Sequence, residues 1–239
     1  MVKEEAGLSK ILDRLEEYYG AQKAVGPSEP YEMIVFVNSA YPATDAGCAK
    51  GYEALKREVG TKPEEILQAA SGKLMKAARL GGMLPEKRVE RWKMIAGMVK
   101  KEFGGDLDGA VKKMIRDEKT PLEKRLRQAK NALKKFPVIG EPGAEKILLF
   151  AKLAAVAAVP SACTGVPQRI LFGHEDKNYA KGYRAAQDKI AAAVPEEFGA
   201  RQRAYLLLKK HGQEICKRTK PKCEICPIRG MCAYFWKNG

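Results

Sequence analysis

Cys216-Lys-Arg-Thr-Lys-Pro-Lys-Cys223-Glu-Ile-Cys226-Pro-Ile-Arg-Gly-Met-Cys232 lies near the end of the 239-residue chain and holds four of its six cysteines. The gaps between them are six, two and five residues. Thiolates crowded in this way need a cation to neutralise them, and soft sulfur suits an iron–sulfur cluster or a structural zinc. Spacing alone leaves both metals open, with a chance grouping of free cysteines as the plain alternative. The first gap carries Lys217, Arg218, Lys220 and Lys222, so a metal here would stiffen a loop loaded with positive charge. Such a loop is suited to phosphate contacts. The metal site reads as structural and its loop as functional.

Upstream of this tail, Phe136-Pro137-Val138-Ile139-Gly140-Glu141-Pro142-Gly143-Ala144 is a tight turn between two helical stretches. Pro142 suits the first helical position, where a missing N–H costs nothing. Gly143 and Ala144 would then offer backbone N–H groups to an anion, and Gly140 would let a phosphate approach the backbone. An ordinary helical hairpin turn would look the same. Helical periodicity dominates the remainder. Leu8, Ile11, Leu12 and Leu15 form one stripe, and Gly26 to Pro30 interrupts before an apolar segment from Tyr31 to Val37. Thr44 or Asp45 caps the next helix. Lys62-Pro63-Glu64-Glu65, Asp106 and Thr120-Pro121-Leu122-Glu123 mark further starts, and Gly81-Gly82 precedes a helix from Pro85 to Phe103. The run from Ile147 to Pro160 reads as a buried helix, since it is short and contains Lys152. No stretch alternates as a strand would. The expected fold is all-α, with ten or so short helices.

A net charge of +15, spread along the chain, points to a polyanionic partner and away from basic ones. The opening MVKEEAGLSK lacks a signal-peptide core, and the isolated Cys48 and Cys163 do not suggest a disulfide framework. A reducing, cytoplasmic location and a monomer without membrane contact are the expectations.

Together the cysteine spacing, His211-Gly212 ahead of it, and Pro137, Gly140, Ala144, Ile147 and Leu148 in the hairpin resemble the helix-hairpin-helix base-excision DNA glycosylase superfamily. The resemblance is to its endonuclease III-like branch, from about Leu8 to Tyr234, with weaker support from Tyr31-Glu32-Met33, Ala43-Thr44-Asp45 and Gly82 to Lys87. It implies a [4Fe-4S] cluster on Cys216, Cys223, Cys226 and Cys232, and a monovalent cation at the hairpin. It also implies two lobes. One is a six-helix barrel over residues 31–153, with the helix-hairpin-helix at about 126–152. The other is a discontinuous cluster domain of residues 1–30 and 154–239. DNA carrying a lesion would lie bent across the cleft, its target base turned out of the stack. Lys134, Lys135, Val138, Ile139, Gly140, Gly143 and Ala144 would face it with the basic loop residues Lys217, Arg218, Lys220 and Lys222. Asn38, Tyr41 and Pro42 would line the base pocket or fill the gap, and Met83 or Leu84 would be an apolar wedge.

Two departures bear on function. Where strand-cleaving members of that family carry a nucleophilic lysine, this chain has Pro142, and the next lysine, Lys146, lies a full turn on. Where the family keeps an aspartate after the hairpin, Val159 to Arg169 contains no acid, and Glu175 and Asp176 would lie about three helical turns further along. Asp45 and Thr164 remain as candidate catalytic groups, though Asp45 reads more simply as a helix cap. The resulting expectation is a monofunctional glycosylase without lysine-dependent lyase activity. The alternative is a non-catalytic reader of damaged, abasic or distorted DNA.

Overall fold

The structure, a computed structural model, describes residues 7–40 and 44–238. It is all-helical. In chain order the helices are α1 (Leu8–Tyr19), α2 (Pro30–Val37), α3 (Asp45–Glu58), α4 (Pro63–Gln68), α5 (Ser71–Arg79), α6 (Pro85–Phe103) and α7 (Leu107–Arg116). They continue as α8 (Leu122–Leu133), α9 (Glu141–Phe150), α10 (Gly165–Phe172), α11 (Tyr179–Ala193), α12 (Phe198–Glu214) and α13 (Ala233–Asn238). Short 3-10 turns cover Ser161–Cys163, Cys223–Ile225 and Arg229–Met231. The framework divides into two compact units, residues 25–154 and a discontinuous unit of residues 1–24 with 155–239.

The first of these is built around α2. Six of its eight residues are buried, so it reads as apolar on every side and sits inside its unit. Ile34, Leu55, Ile66, Leu74, Ile95, Leu133 and Leu148 are fully buried, together with Trp92. Truncating a ring buried like Trp92 costs about 3–5 kcal/mol. Local signals set the ends of the surrounding helices. The Thr44 hydroxyl accepts from Gly47 N (3.1 Å) at the start of α3, and Asp106 Oδ1 accepts from Gly109 N (2.7 Å) at the start of α7. Lys62 N donates to Glu65 Oε2 (2.9 Å) at α4. Thr44 is thus the cap of α3, and Asp45 is its first helical residue. A hydroxyl one residue earlier reaches the free N–H, and Asp45 only adds its charge to the first turn.

In the discontinuous unit, the α1 stripe of Leu8, Ile11, Leu12 and Leu15 packs in one core with Val166, Ile170, Tyr183, Ile190, Leu207 and Leu208. Arg203 of α12 fastens α1 from the rim, 2.8 Å from both Asp13 and Glu16. The run expected to be one buried helix from Ile147 to Pro160 is not one. Helix α9 ends at Phe150, Lys152 takes a left-handed backbone (φ 53°), and Leu153 N closes back on Leu148 O at 2.9 Å. Residues 154–160 form no regular element, and Ala157, Ala158 and Val159 are buried without being helical.

Candidate nucleic-acid interface and cysteine site

Cys216, Cys223, Cys226 and Cys232 line one cavity, walled by Ile170, Ile215, Pro221 and Phe235. All are free thiols. Burial raises the pKa of Cys216 and Cys223, and that of Cys226 to about 11, so the apolar walls disfavour bare thiolates. A cationic centre would reverse that preference and release the protons. Among the described residues no three Cys, His or acid side chains converge as a single ion requires. The four cysteines share one largely apolar cavity, a setting suited to an iron–sulfur cluster. Two side chains frame it. His211 is buried, which lowers its pKa to about 4; its ring meets Tyr19 Oη at 3.0 Å and Cys226 Sγ at 3.7 Å. Arg169 donates to the carbonyls of Lys217 (2.8 Å) and Arg218 (2.7 Å), lies 3.7 Å from Cys216 Sγ, and stacks over Tyr234. It therefore shapes the backbone of the cationic loop from beneath.

In the α8–α9 hairpin, Gly140 is the N-cap with ordinary extended backbone, Glu141 is the first helical residue and Pro142 the second. The expected placement of Pro142 is thus one residue early. Ala144 N is taken by Gly140 O (2.9 Å), so it does not offer itself to an anion as expected. Lys134 pairs with Glu141 (2.7 Å) and Lys135 with Glu102 (2.6 Å); both are half-exposed pairs of small worth that a phosphate can displace. Asn38 is fully buried and is not a pocket wall open to a base. Its Nδ2 donates to Ile34 O (2.9 Å) and Pro137 O (3.1 Å), pinning the hairpin to the end of α2. Tyr41 and Pro42 lie outside the described residues. Met83 and Leu84 are both exposed, at 63% and 45%, on the loop before α6.

The stretch around Thr164 borders a cavity of about 190 Å³, lined also by Ser161, Gln168, Arg169, Lys177, Tyr179 and Arg218. Contrary to the expected three-turn separation, Glu175 and Asp176 line the same cavity. Helix α10 stops at Phe172 because Gly173 turns left-handed (φ 76°), and the chain folds back. Glu175 pairs with Arg169 and packs over Gly165, while Asp176 N donates to Gln168 Oε1 at 2.8 Å. Thr164 Oγ1 donates to Ser161 O (2.9 Å), which leaves its hydroxyl proton engaged.

Residues 216–232 match the family model described as the iron–sulfur binding domain of endonuclease III. The chain is 31% identical over 105 residues to an endonuclease III of Rickettsia prowazekii, a match covering 43% of this chain and 45% of that protein. It is 24% identical to the endonuclease III of Haemophilus influenzae, covering 87% of this chain and 85% of the other. A solved structure of a trapped endonuclease III–DNA covalent intermediate superposes with TM-score 0.70 at 18% identity, covering 99% of both chains. A thermostable thymine-DNA glycosylase superposes with TM-score 0.66 at 19% identity, covering 96% of both chains. The fold resembles that of endonuclease III, and the cysteine tail resembles its iron–sulfur binding domain.

In this chain, which resembles endonuclease III, sequence reasoning misjudged three residues. Arg169 closed a stretch noted for its lack of acid, and Glu175 was placed too far away; only the Gly173 turn could have signalled otherwise. Val138 was expected to face DNA, but its left-handed backbone (φ 57°) was not foreseen; its side chain is 59% exposed. A β-branched residue held there stores about 1–3 kcal/mol of strain. Val138→Gly should therefore raise the urea midpoint, corresponding to a gain of about 1 kcal/mol, with an unchanged slope. A lower midpoint would mean that the valine side chain contributes packing that outweighs its strain.

Proposed function

We propose that this chain is a base-excision DNA glycosylase that hydrolyses the N-glycosidic bond of a damaged or mispaired base without a lysine Schiff base. The observation that carries the monofunctional part is the start of α9. Glu141, Pro142 and Gly143 occupy its first turn, and none of them has an amine to attack C1′. Water must then be the nucleophile. The C1′–N bond breaks with its electron pair leaving on the base, and water adds at C1′ and gives up a proton. Glu175 and Asp176 are the carboxylates proposed to stabilise the cationic sugar, because they border the cavity at Thr164 where the nearby chain has no acid. Exposed Met83 and Leu84 are proposed as the wedge into the base stack, and Lys217, Arg218, Lys220 and Lys222 as phosphate contacts.

The same reading takes the four cysteines of the tail as ligands of a [4Fe-4S] cluster, supported by their common cavity and by the family match over residues 216–232. Such a cluster, when bound, supplies a fixed cationic core to the thiolates, while the chain's own residues position the DNA.

Duplexes carrying uracil, thymine glycol, alkylated purines or mispairs, treated with alkali to reveal abasic sites, test the proposal. The expected result is base release from at least one, strand breaks only after alkali, and no covalent adduct with borohydride. A trapped adduct would overturn the monofunctional reading. Tight binding with no release from any substrate would instead support a lesion reader without chemistry.

A further inference from the structure

Arg88, in the first turn of α6, is 2% exposed and has no carboxylate partner among the described residues. Taking a guanidinium out of water costs several kcal/mol unless its donors are met (about that order for any buried ion). Here they are met by backbone alone. The two terminal nitrogens of Arg88 reach the carbonyls of Ala78, Gly81 (3.3 Å), Gly82 (3.4 Å) and Met83 (2.7 Å), while Nε has no partner. These carbonyls belong to the last turn of α5 and the turn that joins it to α6. A turn's carbonyls diverge, and only a planar fork of donors gathers several of them from one side.

Gathering the carbonyls inward leaves the side chains outside. Leu80, Met83 and Leu84 are 54%, 63% and 45% exposed, and Leu84 is held left-handed at φ 56°. The turn is fixed from below as well. A Cβ on Gly81 would lie 2.0 Å from Ser39 O and 3.0 Å from Arg88 Nε, and a Cβ on Gly51 would also lie 2.0 Å from Ser39 O. There is no room for the loop to sink. Lys87 and Arg91, on the same helix, line an indentation beside Leu84 with Arg88. An apolar tip is thus flanked by cations suited to phosphates. If stability alone were at issue, an apolar side chain of similar volume would serve position 88 as well or better.

We propose that Arg88 is a positioning residue, which holds Met83 and Leu84 out as a preformed wedge for duplex DNA. The inference rests on the DNA-binding reading above and adds the residue that makes the wedge rigid. Preorganisation of this kind shows in the distortion of bound DNA more than in affinity, because the phosphate contacts remain.

The probe is a duplex with a tetrahydrofuran abasic analogue beside 2-aminopurine, whose fluorescence rises on unstacking. The wild-type protein should bind it and raise the fluorescence, and a Met83→Ala/Leu84→Ala variant should bind without the rise. Arg88→Lys, which keeps the charge but loses the fork, should retain most of the affinity and its salt dependence while losing most of the rise. Amide hydrogen exchange at residues 79–84 should quicken in the same variant, with α6 still protected. Arg88→Met should behave likewise; if it fails to fold, Arg88→Lys decides. A full rise with Arg88→Lys overturns the inference, as does a loss of affinity as large as the loss of rise. Failure of the wild-type protein to bind any duplex would sink the DNA-binding reading instead.

Discussion

Cys226→Ser is expected to abolish the visible absorbance of the purified protein and to leave residues 215–238 open to limited proteolysis. In the structure this segment is otherwise anchored mainly by buried Ile215 and Ile228 and by the contacts of Arg169. Its helices are a few residues long, and Cys216, Cys226, Met231, Tyr234 and Phe235 are only partly buried against the unit's core. With a centre bound to four thiolates, the ligands act as cross-links between the end of α12 and α13. For a structural metal such binding is worth about 10–16 kcal/mol, and it is counted as folding free energy. One missing ligand should forfeit much of that. Iron and sulfide analysis checks the assignment: about four of each per chain are expected for a four-iron cluster. Colourless protein carrying one zinc would show that the cavity is a zinc site. Resistance to protease after loss of the metal would show that packing alone suffices here.

Glu175→Gln and Asp176→Asn together are expected to slow single-turnover base release by about 100-fold or more, the usual loss when a charge-stabilising group is removed. Affinity for the same duplex should change little. Asp176 is held ionised, its pKa lowered first by the Asn178 N–H it accepts and then by Lys181, so its negative charge persists through the neutral range. The single variants separate the roles. Glu175→Gln also removes the counter-charge of Arg169 and should disturb the 216–222 loop, which a change in the salt dependence of binding would reveal. Asp176→Asn should alter rate alone. Unchanged base release in the double variant would place the chemistry elsewhere, with Asp45 the next group to replace.

Much of the helical frame was legible because its stops and starts are written locally. Pro85 opens α6 and Gly104 ends it, and Asp106 caps α7. The alternation of buried residues in α1 follows directly from its period. The end of α9 was not legible, since residues 147–160 are apolar but for Lys152, and the break falls there, on a residue that rarely turns left-handed. The carboxylates were misplaced for a related reason: the direction of the chain after Gly173 depends on Arg169 and Gln168, which capture Glu175 and Asp176 through space. Arg88 could have been seen. It falls on the same face of α6 as Trp92, Ile95 and Val99, all buried, so its place in the period already put a charge where an apolar residue belongs. The cysteine tail was the most legible part, because metal ligation constrains spacing more tightly than packing does.

The discontinuity of the unit that holds the cysteines also sets an order of events during synthesis. Helix α1 leaves the ribosome before residues 25–154, but α11 and α12, against which it packs, are made only after them. Its apolar stripe of Leu8, Ile11, Leu12 and Leu15 must therefore wait, while the intervening segment, continuous in sequence, has all its core partners in hand. The residues that carry the thiols follow α12. Any centre on those thiols thus forms after the other pieces of its unit are made, and a shortage of its metal would leave residues 25–154 folded beside an unfinished unit.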